Sequence, residues 1–279
     1  MAIITFKSNE TKETGQTLSL AAVATKMAIE HNYKVLIVST NFKDETLESC
    51  FWDLSKTNTP IIGNGKAGQI GIESGIEGLI KVIASNKTSS EIVRNYSKTV
   101  LKDRLDILVS PKTSIYMEYQ EIAKLYPDIL RLANKYYDLI FVDLSKRMDE
   151  ADAQNIIDIS DIVVVNLTQR LKTIDNFIEL RENNDFYRKH HIMLMVGRYD
   201  AHSKYNTKNI TRYLKERKQV AVTPYNTLYF EACSEGKIID FFLNLKNIDE
   251  TDRNYTFTKE ADDMANAIIY KLQELQMKI

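Results

Sequence analysis

The chain has 279 residues, 44% hydrophobic and 27% charged, which is the composition of a globular protein with a core large enough to fold without metals or disulfides. Two distant cysteines, Cys50 and Cys233, exclude a disulfide scaffold and a multi-cysteine zinc or iron–sulfur site. With 37 basic and 38 acidic residues, the formal net charge is -1. This balance argues against a large, positively charged surface for nucleic-acid binding.

Nothing in the sequence predicts export or membrane insertion. No run of about 18 apolar residues occurs, so no membrane-spanning helix is expected. Residues 1–6 form a strand-like run followed by polar residues and lack the pattern of a signal peptide. We therefore expect a cytoplasmic protein without an integral membrane segment.

Short apolar runs alternate with helical patterns along the whole chain. The predicted strands are 2–6, 34–38, 105–109, 138–143, 161–165, 192–196 and 219–222. The predicted helices are 15–30, 76–85, 90–98, 117–137 with a bend near Pro127, 151–159, 174–183, 206–217, 226–235 and about 258–277.

The predicted strands are continuous apolar runs, which is typical of a parallel sheet covered on both faces. Their alternation with helices predicts an α/β fold: a doubly wound, mostly parallel sheet of about seven strands in a single domain over 1–279. Such sheets bind ligands at the carboxyl ends of their strands.

The first strand leads into a segment that is typical of a phosphate-binding loop. Polar residues 7–14 follow the strand, and Gly15-Gln16-Thr17 then opens a helix. A helix N-terminus presents backbone N–H groups to phosphate, and a threonine hydroxyl there can bind Mg²⁺. The alternative is an ordinary helix start that is capped by Thr11 or Thr14 and holds no ligand.

Seven segments in a fixed order over about 2–245 carry a resemblance to a known family. They are IITF followed by KETGQTLSLAAVATKMA, then KVLIVSTN, IESGIEGLIKVI followed by LDILVSP, YYDLIFVDLS, DISDIVVVNLTQ, IMLMVGRYDA and VTPYNTLYFEACSEGKII. Together they resemble the ParA/MinD family of deviant Walker P-loop ATPases, which includes TadZ/CpaE-like members. The resemblance implies a P-loop NTPase-like fold and ATP with Mg²⁺ as possible cofactors.

The resemblance also implies roles for individual residues. Lys12 would be the catalytic signature lysine, with Lys7 as a second candidate, and Asp143 would be a catalytic carboxylate. Thr17 and Asp143 would bind the metal. The implied nucleotide-binding residues are Gly15, Gln16, Thr17, Leu18, Arg198, Pro224 and Asn226.

Several positions depart from the family pattern. Gln16 stands where the family has a lysine, and only Gly15 remains of the loop glycines. The second strand ends at Asn41 rather than at an aspartate, with no carboxylate before Asp44, and Gly197 stands where the family has an adenine-contacting asparagine. Because the lost lysine supplies charge-assisted contacts to phosphate, these changes predict weak or absent hydrolysis.

Two functions therefore remain open. The first is a dimerising regulatory or positioning factor that binds ATP and serves partition, pilus, secretion or conjugation-type machinery. The second is a pseudo-ATPase scaffold that binds no nucleotide.

The expected partners are a second copy and an unidentified protein, with weak nonspecific DNA binding through the basic segment 204–218 as a further expectation. The C-terminal helix is expected to pack on the sheet rather than to bind a membrane.

Overall fold

A computed structural model describes residues 1–10, 14–54, 75–85, 89, 91–183 and 185–276. The strands are β1 Ala2–Lys7, β2 Val35–Ser39, β3 Lys98–Leu101, β4 Leu105–Leu108, β5 Leu139–Asp143, β6 Ile162–Leu167, β7 Ile192–Tyr199 and β8 Ala221–Pro224. The helices are α1 Gln16–Glu30, α2 Thr46–Phe51, α3 Ile76–Ala84, α4 Ile92–Tyr96, α5 Tyr116–Ala123, α6 Tyr126–Ala133, α7 Glu150–Asp158, α8 Leu171–Asn183, α9 Phe186–Lys189, α10 Thr207–Tyr213, α11 Thr227–Ser234, α12 Ile238–Asn244 and α13 Tyr255–Gln276.

Within the described residues, eight strands form one sheet in the order β3-β4-β2-β5-β1-β6-β7-β8. All neighbouring strands are parallel except β3, which runs antiparallel to β4 at the edge. The predicted doubly wound, mostly parallel α/β sheet is therefore confirmed. Strand β3 was not predicted, because Lys98 and Thr99 are exposed and the strand has no buried apolar run to mark it.

The register brings the carboxyl ends of the central strands together. Phe6 of β1 pairs with Asp143 of β5, and Ser39 of β2 pairs with the same Asp143. Because these strands are parallel, the segments that follow them leave the sheet at one edge. The loops after β1, β2 and β5 therefore begin within one small region.

Helix α1 is buried between the sheet and α13. Its alanines Ala21, Ala22 and Ala24 are fully buried, and their small side chains let the helix lie close to both layers. Large residues of α11 to α13, among them Phe242 and Phe257, complete this apolar layer. Helices α3 to α10 contribute to a second core on the opposite face of the sheet. This packing holds the N-terminus of α1 at the edge formed by the carboxyl ends of the central strands.

Three predicted helices differ clearly in the structure. Of the segment 90–98, the described residues are helical only over Ile92–Tyr96, and Lys98 already belongs to β3. The segment 117–137 divides into α5 and α6, because Pro127 lies in the first turn of α6 and cannot continue a preceding helix. The segment 206–217 is helical only to Tyr213, and Lys215 follows with a φ of 55°. The basic segment 204–218 is therefore not one continuous helix face.

In the described part of the chain, no helix is both long enough and apolar enough to cross a bilayer. The same part holds no cluster of three or more His, Cys, Asp or Glu side chains suited to a metal ion. Cys50 and Cys233 are free and buried.

Replacing Gly236 with alanine should lower the free energy of unfolding by more than about 2 kcal/mol. A Cβ there would lie 2.3 Å from the backbone carbon of Trp52, and the φ of 72° disfavours other residues. Urea unfolding measures the loss. Gly75→Ala is the matched control, because its φ is 86° but its Cβ would meet nothing closer than 3.7 Å. Equal losses in the two variants would contradict the proposed backbone clash.

Candidate functional site

A cavity of about 530 Å³ opens at the carboxyl edge of the sheet. Its walls come from the start of α1, the segments after β2 and β5, the end of β7, and the start of α11. The described residues that line it include the basic side chains Lys43, Lys146, Arg147 and Arg198 and a single acidic one, Asp44. Together with the positive end of the α1 dipole, this charge balance favours an anionic ligand.

The carboxylate of Asp143 lies beneath this cavity and accepts hydrogen bonds from three neutral side chains. Gln16 Nε2 donates to Oδ1 at 2.7 Å, while Thr17 Oγ1 and Asn41 Nδ2 donate to Oδ2 at 2.8 and 2.7 Å. A carboxylate offers about four acceptor positions, so roughly one stays open. We call Gln16, Thr17, Asn41 and Asp143 the carboxylate network.

Asp143 is fully buried, and this burial raises the pKa of its carboxyl group above the ordinary value. The hydrogen bonds from Gln16, Thr17 and Asn41 lower the pKa but do not cancel the effect of burial. The nearby negative charge of Asp44 raises the pKa further. An additional cation at this position would stabilise the ionised carboxylate.

Backbone contacts hold the network in place. Thr40 Oγ1 donates to the Asp143 carbonyl oxygen at 3.0 Å and accepts a hydrogen bond from the Ser145 N–H at 2.8 Å. The Thr40 carbonyl oxygen in turn accepts from the Tyr119 hydroxyl at 2.8 Å. Burial raises the pKa of Tyr119 to about 12, so its hydroxyl stays protonated and keeps donating at neutral pH. The ends of β2 and β5 are therefore rigidly linked.

Gln16 uses both of its amide N–H groups inside the protein. Besides the bond to Asp143, Nε2 donates to the Leu144 carbonyl oxygen at 2.9 Å. Its Oε1 is buried and has no hydrogen-bond partner among the described residues. A buried acceptor without a partner costs about 1–3 kcal/mol, so the site is suited to a donor that would bind there.

Two glycines allow the segment after β1 to pack against β7. Gly15 precedes α1 with a φ of 70°, which favours glycine. A Cβ on Gly197 would lie 2.2 Å from the Thr14 carbonyl oxygen. Gly197 therefore cannot carry the asparagine that the family pattern places there, because the backbone of Thr14 occupies that space.

The far wall of the cavity is built from β8 and α11. Asn226 caps α11 by accepting from the Tyr229 N–H at 2.8 Å, and its Nδ2 donates to Asn254 Oδ1 at 2.9 Å. The Tyr229 hydroxyl donates to the Leu18 carbonyl oxygen at 2.7 Å. Pro224, Tyr225 and Phe230 add apolar surface, which is suited to a flat ring.

The structure brings most of the residues implicated by the sequence to one place. The cavity is lined by Gly15, Gln16, Thr17, Leu18, Arg198, Pro224 and Asn226, and Asp143 lies directly below it. Lys12 lies outside the described residues. Lys7, the alternative for its role, does not line the cavity: its Nζ lies 4.6 Å from the ring centroid of Phe186.

Sequence reasoning missed several residues of the site. The sequence marks Asn41 only as the position of a missing aspartate, yet its amide donates to Asp143. No motif marks Lys146, although it lies three residues after the aspartate that ends β5. Tyr225 and Phe230 also line the cavity. The sequence signal for Asn41, Lys146 and Tyr225 is their position just after a strand, whereas Phe230 lies within α11 and has no such signal.

Comparison with solved structures shows that the chain has a ParA/MinD-like, P-loop NTPase-type fold. A ParA family ATPase from Chlorobium tepidum TLS aligns with a TM-score of 0.70 and 16% identity, over 95% of this chain and 98% of that chain. The septum site-determining protein MinD from Pyrococcus horikoshii OT3, in complex with Mg-ADP, gives 0.64 and 14% over 97% and 98%. A putative plasmid partition protein from Borrelia burgdorferi B31 bound to AMPPNP gives 0.61 and 18% over 100% and 99%.

No protein-family model matches the sequence, and no curated protein matches it either. The likeness to the solved structures is below 20% identity in each of these three cases, so it establishes the fold alone.

Asp143→Asn should change how stability depends on pH. Because burial raises the native pKa of Asp143, its stabilising contribution is full at low pH and is lost as pH rises through that pKa. The amide side chain of the variant cannot titrate. The excess of the wild-type free energy of unfolding over that of the variant should therefore be larger near about pH 4 than near about pH 7.5.

Urea unfolding at the two pH values measures this difference. The control is Asp128→Asn, which removes an exposed carboxylate on α6. An excess for Asp143→Asn that stays constant or grows with pH would contradict the assigned effect of burial.

Proposed function

We propose that the chain binds Mg-nucleotide in the cavity and acts as a regulatory or positioning factor with slow or no ATP hydrolysis. The observation that carries the proposal is the carboxylate network beneath a basic cavity at the N-terminus of α1. The basic wall is suited to phosphates, and the apolar wall at Tyr225 and Phe230 is suited to a base.

The residues present are suited to a hydrated magnesium ion. Thr17 Oγ1 gives its hydrogen to Asp143 and keeps its oxygen lone pairs for a cation. The unpartnered Gln16 Oε1 is suited to a hydrogen bond from a metal-bound water. Thr17 would hold the ion directly and Asp143 through water. When bound, the ion supplies charge that neutralises the phosphates.

Slow hydrolysis follows from the neutral side chains around Asp143. Phosphoryl transfer is accelerated by positioning and by charge at the transferred group. Gln16 brings no charge, and both of its N–H groups are already used by Asp143 and Leu144. Asn41 presents an amide where the resemblance expects an aspartate, so it cannot act as a carboxylate that orients water.

A scaffold that binds no nucleotide is the second candidate. One observation favours it: Asp143 already accepts hydrogen bonds from three neutral donors, so its carboxylate is stabilised without a cation. In that case the fold would serve as a platform for protein partners, and the cavity would be a remnant of an ancestral site.

A partner that covers the cavity face is part of the proposal. Two large apolar side chains of the cavity lining are exposed: Tyr225 is 57% exposed and Phe230 51%. Such exposure is typical of surfaces that another protein covers. A second copy of the chain is our first candidate, and a different protein is the alternative.

A cytoplasmic location and weak DNA binding through 204–218 stay predictions from the sequence.

Calorimetric titration with Mg-ATP and Mg-ADP tests the proposal directly. We expect Kd values in the micromolar range, about 1–100 μM, and an increase in particle size with Mg-ATP in sizing experiments. Release of phosphate should stay at the buffer background or slightly above it. Absence of binding at millimolar nucleotide would reject this function in favour of the scaffold.

Gln16→Lys should tighten Mg-ATP binding by about tenfold, since a charge-assisted contact to phosphate is worth about 1.4 kcal/mol or more. The measurement is the same titration. The control is Gln154→Lys on α7, which adds the same charge outside the cavity. Equal effects of the two variants would show that Gln16 does not face the phosphates.

A further inference from the structure

Lys146 is an exposed residue of the segment after β5, and its side chain reaches across to the segment that precedes α1. Its Nζ donates to Thr14 Oγ1 at 3.1 Å, and Thr14 is only 1% exposed. Thr14 adjoins Gly15, and both of these residues and Lys146 line the cavity. An ammonium group therefore stands at the N-terminus of α1, although position 16 has no lysine.

The ammonium of Lys146 keeps capacity for an anion. An ammonium has three N–H donors, and among the described contacts only the one to Thr14 is engaged. No carboxylate of the described residues lies within ion-pair distance of it. Three acidic residues, Asp143, Asp44 and Glu10, act on it from farther away and favour its charged form.

Partial burial opposes that effect and lowers the pKa of Lys146 below its ordinary value. The loss of water around a cation makes an anionic partner more favourable than it would be at an open surface. A phosphate in the cavity would supply such a partner.

Two other residues that line the cavity are less suited to this contact. Gln16 has no amide N–H left for a ligand, because both are donated to Asp143 and Leu144. Lys43 follows β2, and its Nζ lies over the Phe42 ring, 5.3 Å from the ring centroid.

The segment that carries Lys146 is anchored on both sides. Leu144 N–H donates to the Phe6 carbonyl oxygen at 3.0 Å, and Ser145 N–H donates to Thr40 Oγ1 at 2.8 Å. Arg147 N–H donates to Ser145 Oγ at 3.2 Å. Because the backbone is already fixed to Phe6 of β1 and to Thr40 after β2, little further backbone freedom is lost when the side chain binds a ligand.

We propose that Lys146 supplies, from the segment after β5, the positive charge to the nucleotide phosphates that Gln16 does not supply from α1. The proposal rests on the function proposed above. Lys146 exchanges its hydrogen bond to Thr14 for one to a phosphate oxygen, so its ammonium contacts the ligand directly. The charge then comes from a residue of a different segment, although its ammonium still lies at the N-terminus of α1.

A charge-exchange experiment tests this placement by calorimetric titration with Mg-ATP. Lys146→Gln should weaken binding by about tenfold or more, as expected for the loss of a charge-assisted hydrogen bond. Lys146→Arg keeps the charge and should stay within about threefold of the wild type. The double variant with Gln16→Lys and Lys146→Gln should recover most of the affinity.

Lys172→Gln is the matched control, because it removes one positive charge from an exposed position on α8, outside the cavity, and should change affinity by less than about threefold. Far-ultraviolet circular dichroism checks that each variant is folded. Wild-type affinity in Lys146→Gln, or equal losses in Lys146→Gln and Lys172→Gln, would overturn the role of Lys146 alone. A wild type that binds no Mg-ATP would instead reject the nucleotide function and the role of Lys146 with it.

Discussion

The buried carboxylate of Asp143 is the group on which the arrangement of the site depends. It ends β5 at the register position shared by Phe6 of β1 and Ser39 of β2. Because it has no contact with solvent, its charge has to be met by hydrogen bonds. The start of α1 and the segment after β2 supply them, so one carboxylate fixes the relative positions of a helix and two strand ends.

Gln16 and Asn41 both carry uncharged amide side chains, and both donate a hydrogen bond to Asp143. The family pattern pairs a lysine with an aspartate at these positions, and here an amide replaces each. The two changes leave the net charge around Asp143 the same, and both amides donate to it. An aspartate at position 41 without a lysine at position 16 would place a second negative charge next to a buried carboxylate. The cavity nevertheless stays basic, because its remaining cations lie on other segments.

The segment that precedes α1 is shaped by packing as much as by charge. Gly15 and Gly197 let the Thr14 carbonyl oxygen approach β7 at a distance that a side chain on Gly197 would prevent. The same contact brings Thr14 within reach of Lys146. Gly197, which departs from the family pattern, is therefore in direct packing contact with the residues that precede α1.

The sequence by itself determined the class of the fold, the order of most elements and the edge at which a ligand would bind. Continuous apolar runs and helical periodicity are local properties of the chain, and parallel strands place their carboxyl ends together. Strand β3 escaped prediction because it is short and half exposed, and the break at Pro127 appeared only as a bend.

Only the tertiary structure decided which side chains meet. Asn41 and Asp143 are 102 residues apart, and Lys146 and Thr14 are 132 apart, so no local pattern links them. Their contacts depend on the register of β1, β2 and β5 and on the close packing of Thr14 against Gly197. Register and close packing are set by the whole core rather than by any one segment, and for that physical reason the sequence alone could not supply them.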